Sequence, residues 1–459
     1  MRWHAVVWVI VLLGLVYGLD VGRGFIGDDV VTVAYRPETL SDVVALARQP
    51  SRPYRPLTAM SFAIDRVLFD RDSHGFGLTS FVLLAMAVVT VARMAYALGL
   101  SPVASTITSA VWAFNIHGIA VAVLWLSGRS ILLAALFATM SASRVLRRRR
   151  WRAALFALLA MLSRSELALL PFIFLAWAWI DADDVAGSRL RFALRRTWPM
   201  GVALIIYLGL RVTAGVPAWP VALWPPTLWQ VHGLQHGIDP LAAASALARA
   251  LVHIGLFSLL TGFVAWLTMR HWPKPDRQFW RLLPCMAAWF VLTLPLAFGA
   301  SADAAAGVCA PSIAVAWLPA WLIDQYWREA GTIDRRRLAG GLLLFGMAML
   351  LVYWNRNEKL VAPAHVSAQV FRTVAAATAR RDVTHIVITD RSTCRGPSLF
   401  DIYGDAAPDA LRFASPRPVV ISIEPARVEW KDKHLPPPPA NGSGHVVHLV
   451  FEDGQIIRR

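Results

Sequence analysis

The sequence predicts an all-α polytopic membrane protein of about eleven transmembrane helices, followed by a small C-terminal α+β domain outside the membrane. Three observations carry this reading. Hydrophobic residues make up 57% of the 459-residue chain and charged residues only 16%, too few charges to cover a soluble protein of this size. Apolar stretches recur up to residue 353, many of them long enough for a hydrocarbon core about 30 Å thick. After Tyr353 the pattern changes to alternating charged and apolar residues with short β-branched runs. The same arithmetic excludes a soluble enzyme, a disordered chain and a small disulfide scaffold.

Residues 3–19 are apolar apart from His4 and follow Met1-Arg2. No small-x-small cleavage site comes after them, so they read as a retained first span rather than a signal peptide. A long outer loop, 20–75, follows. Further spans are expected at 76–98, 103–126, 130–145, 153–162, 167–180, 200–210, 250–269, 282–298, 312–323 and 338–353. The stretches 153–162 and 167–180 flank Ser163-Arg164-Ser165-Glu166. They read either as two short helices meeting at a membrane face or as one helix with buried polar residues. The chain thus divides into a transmembrane domain, 1–353, and a tail domain, 354–459. In the tail, Val370, Val374 and Ala377 have helical spacing, and 385–389, 419–423 and 446–451 have strand length. Asp453-Gly454 is a turn that opens a last short strand.

The chain carries 45 Lys+Arg against 29 Asp+Glu, a formal +16. Four basic clusters hold much of this excess: Arg144 with 147–150 and Arg152; Arg189, Arg191, Arg195 and Arg196; Arg270, Lys274, Arg277 and Arg281; Arg328 with 335–337. Counting spans puts all four on one side, which the positive-inside rule makes the cytoplasm. The N-terminus is then inside, and the tail domain lies outside a bacterial inner membrane. No nucleic acid is needed to explain the charge. The outer loop nevertheless carries seven arginines of its own, from Arg23 to Arg71, a surplus that topology alone does not explain.

Four constellations could bear chemistry. Asp28-Asp29 closes the first. Carboxylates at a membrane surface can act as a general base toward a hydroxyl or bind a metal. Alone, the pair reads first as a helix N-cap. Arg52-Pro53-Tyr54-Arg55-Pro56 places guanidinium forks, suited to phosphate, on a stiffened turn. An interfacial anchor would look much the same. Trp125-Leu126-Ser127-Gly128-Arg129 ends a run uncharged from Ser101, with His117 eight residues before Trp125. Ser163-Arg164-Ser165-Glu166 puts charges beside a span, where they are costly and by default functional. A mutual salt bridge is the plainer reading of that pair.

The order of these elements resembles the polytopic GT-C glycosyltransferases. The closest likeness is to the protein O-mannosyltransferase-like branch, which includes animal proteins with lumenal tetratricopeptide repeats. An acidic pair after span one precedes Tyr54-Arg55-Pro56-Leu57-Thr58, Ser61-Phe62-Ala63-Ile64-Asp65, Trp125 to Arg129, the apolar 131–137, and Leu162-Ser163-Arg164-Ser165-Glu166. The likeness covers roughly residues 20–180. It departs from the family at Gly77 and Ser80, where members often carry His and Asn. It departs again at Ser163 to Glu166, where a Ser-Lys-Glu is usual. This chain has no tetratricopeptide array.

The resemblance implies inverting transfer of a sugar from a polyprenyl-phosphate donor to a hydroxyl acceptor, on a protein or a glycan, at the outer face. Asp28 or Asp29 would be the base, with Asp28 favoured by the family pattern. Arg55, Arg129 and Arg164 would hold the donor phosphate. Tyr54, His117 and Glu166 would orient the acceptor or the arginines. No metal-ligand spacing appears, so no metal cofactor is expected as a requirement. Cys285, Cys309 and Cys394 read as separate thiols, with a Cys309–Cys394 bridge as the alternative. Two other classes remain open. A transporter or flippase would show inverted repeats, and an assembly factor would use 1–353 only as an anchor.

Overall fold

Apolar periodicity becomes helix along most of the chain. The computed structural model describes residues 3–27, 29–34, 37–46, 54–115, 118–182, 188–216, 240–269, 273–293, 309–380, 382–392, 397–417, 419–424, 445–452 and 454–458. The helices are α1 Trp3–Tyr17, α2 Asp29–Val33, α3 Leu40–Ala45, α4 Pro56–Phe69, α5 Ser73–Ala97, α6 Pro102–Ala113, α7 Ile119–Leu124, α8 Arg129–Leu146, α9 Arg150–Ser163, α10 Leu170–Ile180, α11 Arg189–Thr213, α12 Pro240–Thr268, α13 Arg277–Thr293, α14 Cys309–Glu329 and α15 Thr332–Thr378. The tail adds β1 Val383–Asp390, α16 Leu399–Tyr403, α17 Ala407–Ala414, β2 Val420–Glu424, β3 His445–Glu452 and β4 Gln455–Arg458.

Among the described residues four segments are long and apolar enough to cross a membrane: Ser73–Ala97, Leu126–Leu146, Leu251–Thr268 and Thr332–Thr378. Each expected span falls on helix in its described part, but several are shorter than a full crossing. The stretch 103–126 is broken after α6, where buried Asn115 donates to the Ile254 carbonyl at 3.3 Å. Of the two readings of 163–166, the two-helix one holds. Helix α9 stops at Ser163, and Arg164 is extended. A 3₁₀ turn, Ser165–Leu169, then leads into α10. Pro171 sits in the first turn of α10, where a missing N–H leaves no helix bond unmade.

The helices run between two ends. At one end lie the last turns of α5, α8, α10 and α14 and the first turns of α9, α11, α13 and α15. The basic clusters gather there. Asp181 pairs with both Arg196 and Arg281, Arg150 donates to the Arg195 carbonyl at 3.3 Å, and Gln325 reaches Asp276 at 2.8 Å. The opposite end holds the first-loop motifs and the tail.

The tail joins the bundle without a break at 353/354, because both residues lie within the 47-residue α15. At about 1.5 Å per residue this helix is about 70 Å long, enough to cross the bundle and enter the sheet domain. The sheet order is β2-β1-β3-β4. Strand β1 is parallel to β2 and β3, and β4 closes an antiparallel hairpin. The expected strands fall where the β-branched runs lie. The arrangement differs from segregated α+β, because β1 and β2 are joined by a crossover through α16 and α17. Parallel neighbours need such a connection.

A second apolar core unites the tail with the motif segments. It contains Phe25, Val30, Phe62, Phe76 and Leu126 together with Val370, Val374, Ile402, Phe413 and the inward face of the sheet. Phe25 lies at its centre, 5.5–5.7 Å from the rings of Phe76, Phe371 and Phe413. Gly27 N–H donates to the Ile402 carbonyl at 2.9 Å, and Ser367 donates to the Phe25 carbonyl. The tail is thus part of the wall behind the acidic motif.

Candidate active site

The second core holds the acidic motif against the Trp125–Arg129 motif. Asp29 opens α2 and is buried. Its Oδ1 accepts from the backbone N–H and the hydroxyl of Ser127, both at 2.7 Å, and its Oδ2 accepts from Ile26 N–H at 3.0 Å. Three donors aimed at one carboxylate fix its orientation. Two motifs 98 residues apart in sequence therefore meet in one contact. Asp28 lies outside the described residues, as does His117.

Arg129, at the start of α8, is fully buried. One Nη atom is 2.6 Å from Asp65 and donates to the Ser61 carbonyl at 3.4 Å. The other Nη donates to the Phe76 carbonyl at 2.7 Å, and Nε donates to Ser80 at 3.2 Å. The guanidinium also lies 4.2 Å from the centre of the Phe62 ring. Asp65 accepts a further bond from Thr79 at 2.9 Å. Every nitrogen of Arg129 is engaged by protein, so the residue ties α4 and α5 to α8. Asp65 and Thr79 were not singled out as functional in the sequence; only distant folding makes them its partners. Ser80 has its use here, as an acceptor for Arg129. Gly77 has one too. It crosses Gly22, and a Cβ on Gly77 would lie 2.6 Å from the Gly22 Cα. Both residues serve this packing.

Near the N-terminus of α4 the charges are of another kind. Arg164 donates to Glu166 at 3.0 Å, and Arg55 approaches the same carboxylate oxygen at 3.7 Å. Ser165 donates to the other oxygen at 3.3 Å. Thr58, in the first turn of α4, donates to the Ser163 carbonyl at 3.2 Å, which fixes Arg55 beside the 163–166 turn. Buried Tyr54 lies 6.3 Å from Tyr207, ring to ring. Arg211, also buried, donates to the Tyr207 hydroxyl at 3.0 Å and lies 5.7 Å from both rings.

Two arginines thus gather around a single carboxylate at the end of the bundle where α4 begins, with Arg211 held on Tyr207 and Tyr54. The N-terminus of that 14-residue helix adds its own partial positive charge. Arg211 was missed in the sequence. Its signal was an arginine directly after the apolar stretch 200–210, a place where a buried charge has to be explained.

A small apolar cavity of about 20 Å³ adjoins this cluster, with Arg164, Glu166, Ile131, Ala134, Trp289 and Ile313 among its lining residues. Ser127, in the 3₁₀ turn just before α8, makes the Asp29 contact, and Ile131, in the first turn of α8, lines this cavity. Among the described residues no group of three or more His, Cys, Asp or Glu is placed to hold a metal ion. Cys309 is a buried free thiol, and Cys394 lies outside the described residues.

No family model and no curated protein matches the chain in sequence. Among solved structures it is similar to the crystal structure of the Archaeoglobus fulgidus oligosaccharyltransferase, which is tethered by a disulfide bond to an acceptor peptide containing the NVT sequon. The TM-score is 0.45 and the identity 13%, over 91% of this chain and 65% of that one. The chain therefore spans less than two thirds of that protein's length. At this score and identity no residue role passes from one to the other.

Proposed function

We propose that the chain is an inverting glycosyltransferase of GT-C type. It would move a sugar from a polyprenyl-phosphate-linked donor to a hydroxyl acceptor at the outer face of a membrane. The observation that carries the proposal is the gathering of buried arginines at the end of the bundle that holds the acidic motif. A donor phosphate needs a cationic site. Arg55 and Arg164 at Glu166, with Arg211 on Tyr207, supply it.

In the proposed step the bond between the anomeric carbon and the phosphate oxygen breaks. The acceptor oxygen forms the new bond to that carbon from the opposite face. The acceptor proton passes to a carboxylate of the acidic pair, and the leaving phosphate keeps the electron pair of the broken bond. The arginines stabilise that charge as it develops. Asp29 is committed to Ser127, so its part is to hold the segment in place, and Asp28 is the stronger candidate for the base. Glu166 keeps Arg55 and Arg164 at a fixed separation, and His117 is proposed at the acceptor side. Arg129 supports the site from behind. No metal is assigned to the step.

The test is transfer of labelled sugar from polyprenyl-phosphate donors in reconstituted vesicles, for wild type, Asp28→Asn, Asp29→Asn and the double variant. Asp28→Asn should lose at least about a hundred-fold in rate at unchanged yield and elution volume. Wild-type rates in all three folded variants overturn the assignment. Movement of the donor across the membrane without a new glycosidic bond makes the protein a transporter instead.

A further inference from the structure

The basic end of the bundle contains a groove that the proposed transfer chemistry does not use. It is lined by Val145, Arg148, Arg150, Phe192, Arg195 and Arg196. Two of the four arginines are tied to protein: Arg196 to Asp181 and the Val145 carbonyl, Arg150 to the Arg195 carbonyl. Arg148 and Arg195 have no ion-pair partner among the described residues. Asp181 is shared with Arg281, so the group keeps a clear cationic excess.

Two further features separate this groove from an ordinary solvated charge run. The first is the backbone of Arg148. Helix α8 ends in a turn in which Arg149 N–H bonds to the Arg144 carbonyl at 2.9 Å and Arg148 N–H to the Val145 carbonyl at 3.0 Å. That turn places one residue in the left-handed region, where glycine is favoured. Here it is Arg148, at φ +58°. An arginine held at a glycine position points to a use for its side chain. The second is the surface beside it. Trp151 and Leu155 lie one turn apart on α9, and Leu194 and Trp198 one turn apart on α11. All four are exposed, and the two indoles meet edge to face at 5.0 Å. Exposed tryptophans beside arginines mark headgroup depth in a bilayer, and the leucines continue the apolar strip.

We propose that this groove binds the phosphate headgroup of an anionic phospholipid, with acyl chain lying along Trp151, Leu155, Leu194 and Trp198. Arg148 and Arg195 contact the phosphate, and Arg150 and Arg196 fix the walls. The site lies at the far end of the bundle from Asp29, and it stands whether or not the transfer reaction does.

The test is native mass spectrometry of the full chain in detergent, titrated with phosphatidylglycerol, with phosphatidylcholine or with inorganic phosphate. Wild type should retain phosphatidylglycerol in preference to phosphatidylcholine, and inorganic phosphate should not displace it. A basic residue at a membrane surface is worth about five-fold in affinity. Arg148→Gly and Arg195→Gln should each weaken phosphatidylglycerol binding by about that factor, and together by about 25-fold, with phosphatidylcholine unchanged. Arg148→Gly removes a left-handed arginine, so it should not lower the melting temperature, and it keeps the test readable if the double variant fails to fold. Unchanged phosphatidylglycerol binding in both single variants overturns the proposal. So does equal retention of phosphatidylcholine. Displacement by inorganic phosphate would make the groove a soluble-anion site and would equally refute a lipid site.

Discussion

Replacing Arg129 by methionine removes a buried cation and leaves Asp65 facing a site with no counter-charge. The pair is 2.6 Å apart, with side-chain exposures of 0% and 4%. Breaking a buried pair by removing one partner costs about 3–5 kcal/mol, because the survivor remains desolvated and uncompensated. Arg129→Met should therefore cost about 3–5 kcal/mol. The aliphatic replacement partly fills the space over Phe62 and Phe76 but leaves the Phe76 carbonyl without its donor. Asp65→Leu should cost a similar amount, and Thr79 keeps its alternative acceptor, the Gly75 carbonyl at 3.3 Å. The double variant replaces both charges with apolar groups and should recover most of the loss, since such swaps are often near neutral. The coupling energy is then several kcal/mol, well above the few tenths expected for independent sites. The assay is equilibrium unfolding in mixed micelles, followed by tryptophan fluorescence, with sugar transfer measured on the same preparations. If Arg129→Met unfolds like wild type yet loses transfer, the guanidinium contacts substrate and is not a tie between helices. Additive single effects would refute the pairing argument.

Three further outcomes follow from the same geometry. Arg211→Gln should raise the KM for the polyprenyl-phosphate donor by about ten- to a hundred-fold, the worth of one lost charge-assisted hydrogen bond, while the acceptor KM stays within two-fold. Steady-state kinetics with each substrate varied checks this, and an equal rise in both would remove Arg211 from the phosphate site. Phe25→Ala should cost about 3–5 kcal/mol and loosen the tail from the first loop, seen as faster proteolysis of the tail at unchanged cleavage of the bundle. Burial, aided by the charge of His448, holds the His385 imidazole below its ordinary pKa. Between that lowered value and about 6.5 the unfolded chain takes up a proton that the folded domain refuses. The stability this contributes is full above about pH 6.5 and is lost as pH falls through the folded value. His385→Gln should flatten the melting temperature against pH below 6.5, and an unchanged slope would exclude His385 as its source.

The composition, the apolar stretches and the β-branched runs at 385–389, 419–423 and 446–451 were enough to place the helices and the tail strands. Hydrophobic burial is a local and periodic demand, and it is written residue by residue. The motif order also contained Arg55, Arg129, Arg164 and Glu166, which the fold brings into buried ion pairs. Expectation and structure part where an element's limits depend on its neighbours. The stretch 103–126 breaks near buried Asn115, and α15 runs straight through the boundary expected at 353. A helix ends where its groups find better partners, and those partners can lie anywhere in the chain.

Individual roles are more distant still from sequence. Arg55, Arg129 and Arg164 look alike as guanidiniums beside apolar runs. Folding puts Arg129 among Asp65, Ser80 and two backbone carbonyls, and puts Arg55 and Arg164 around one shared carboxylate. It brings in Arg211 from another span and clamps Asp29 to Ser127 across 98 residues. By itself the sequence determined which segments would be buried and which carried charge. Only the tertiary structure decided which charges compensate one another. That division has a physical cause: burial follows from each side chain's own transfer free energy, whereas an ion pair depends on the distance between two groups, and only the folded chain sets that distance.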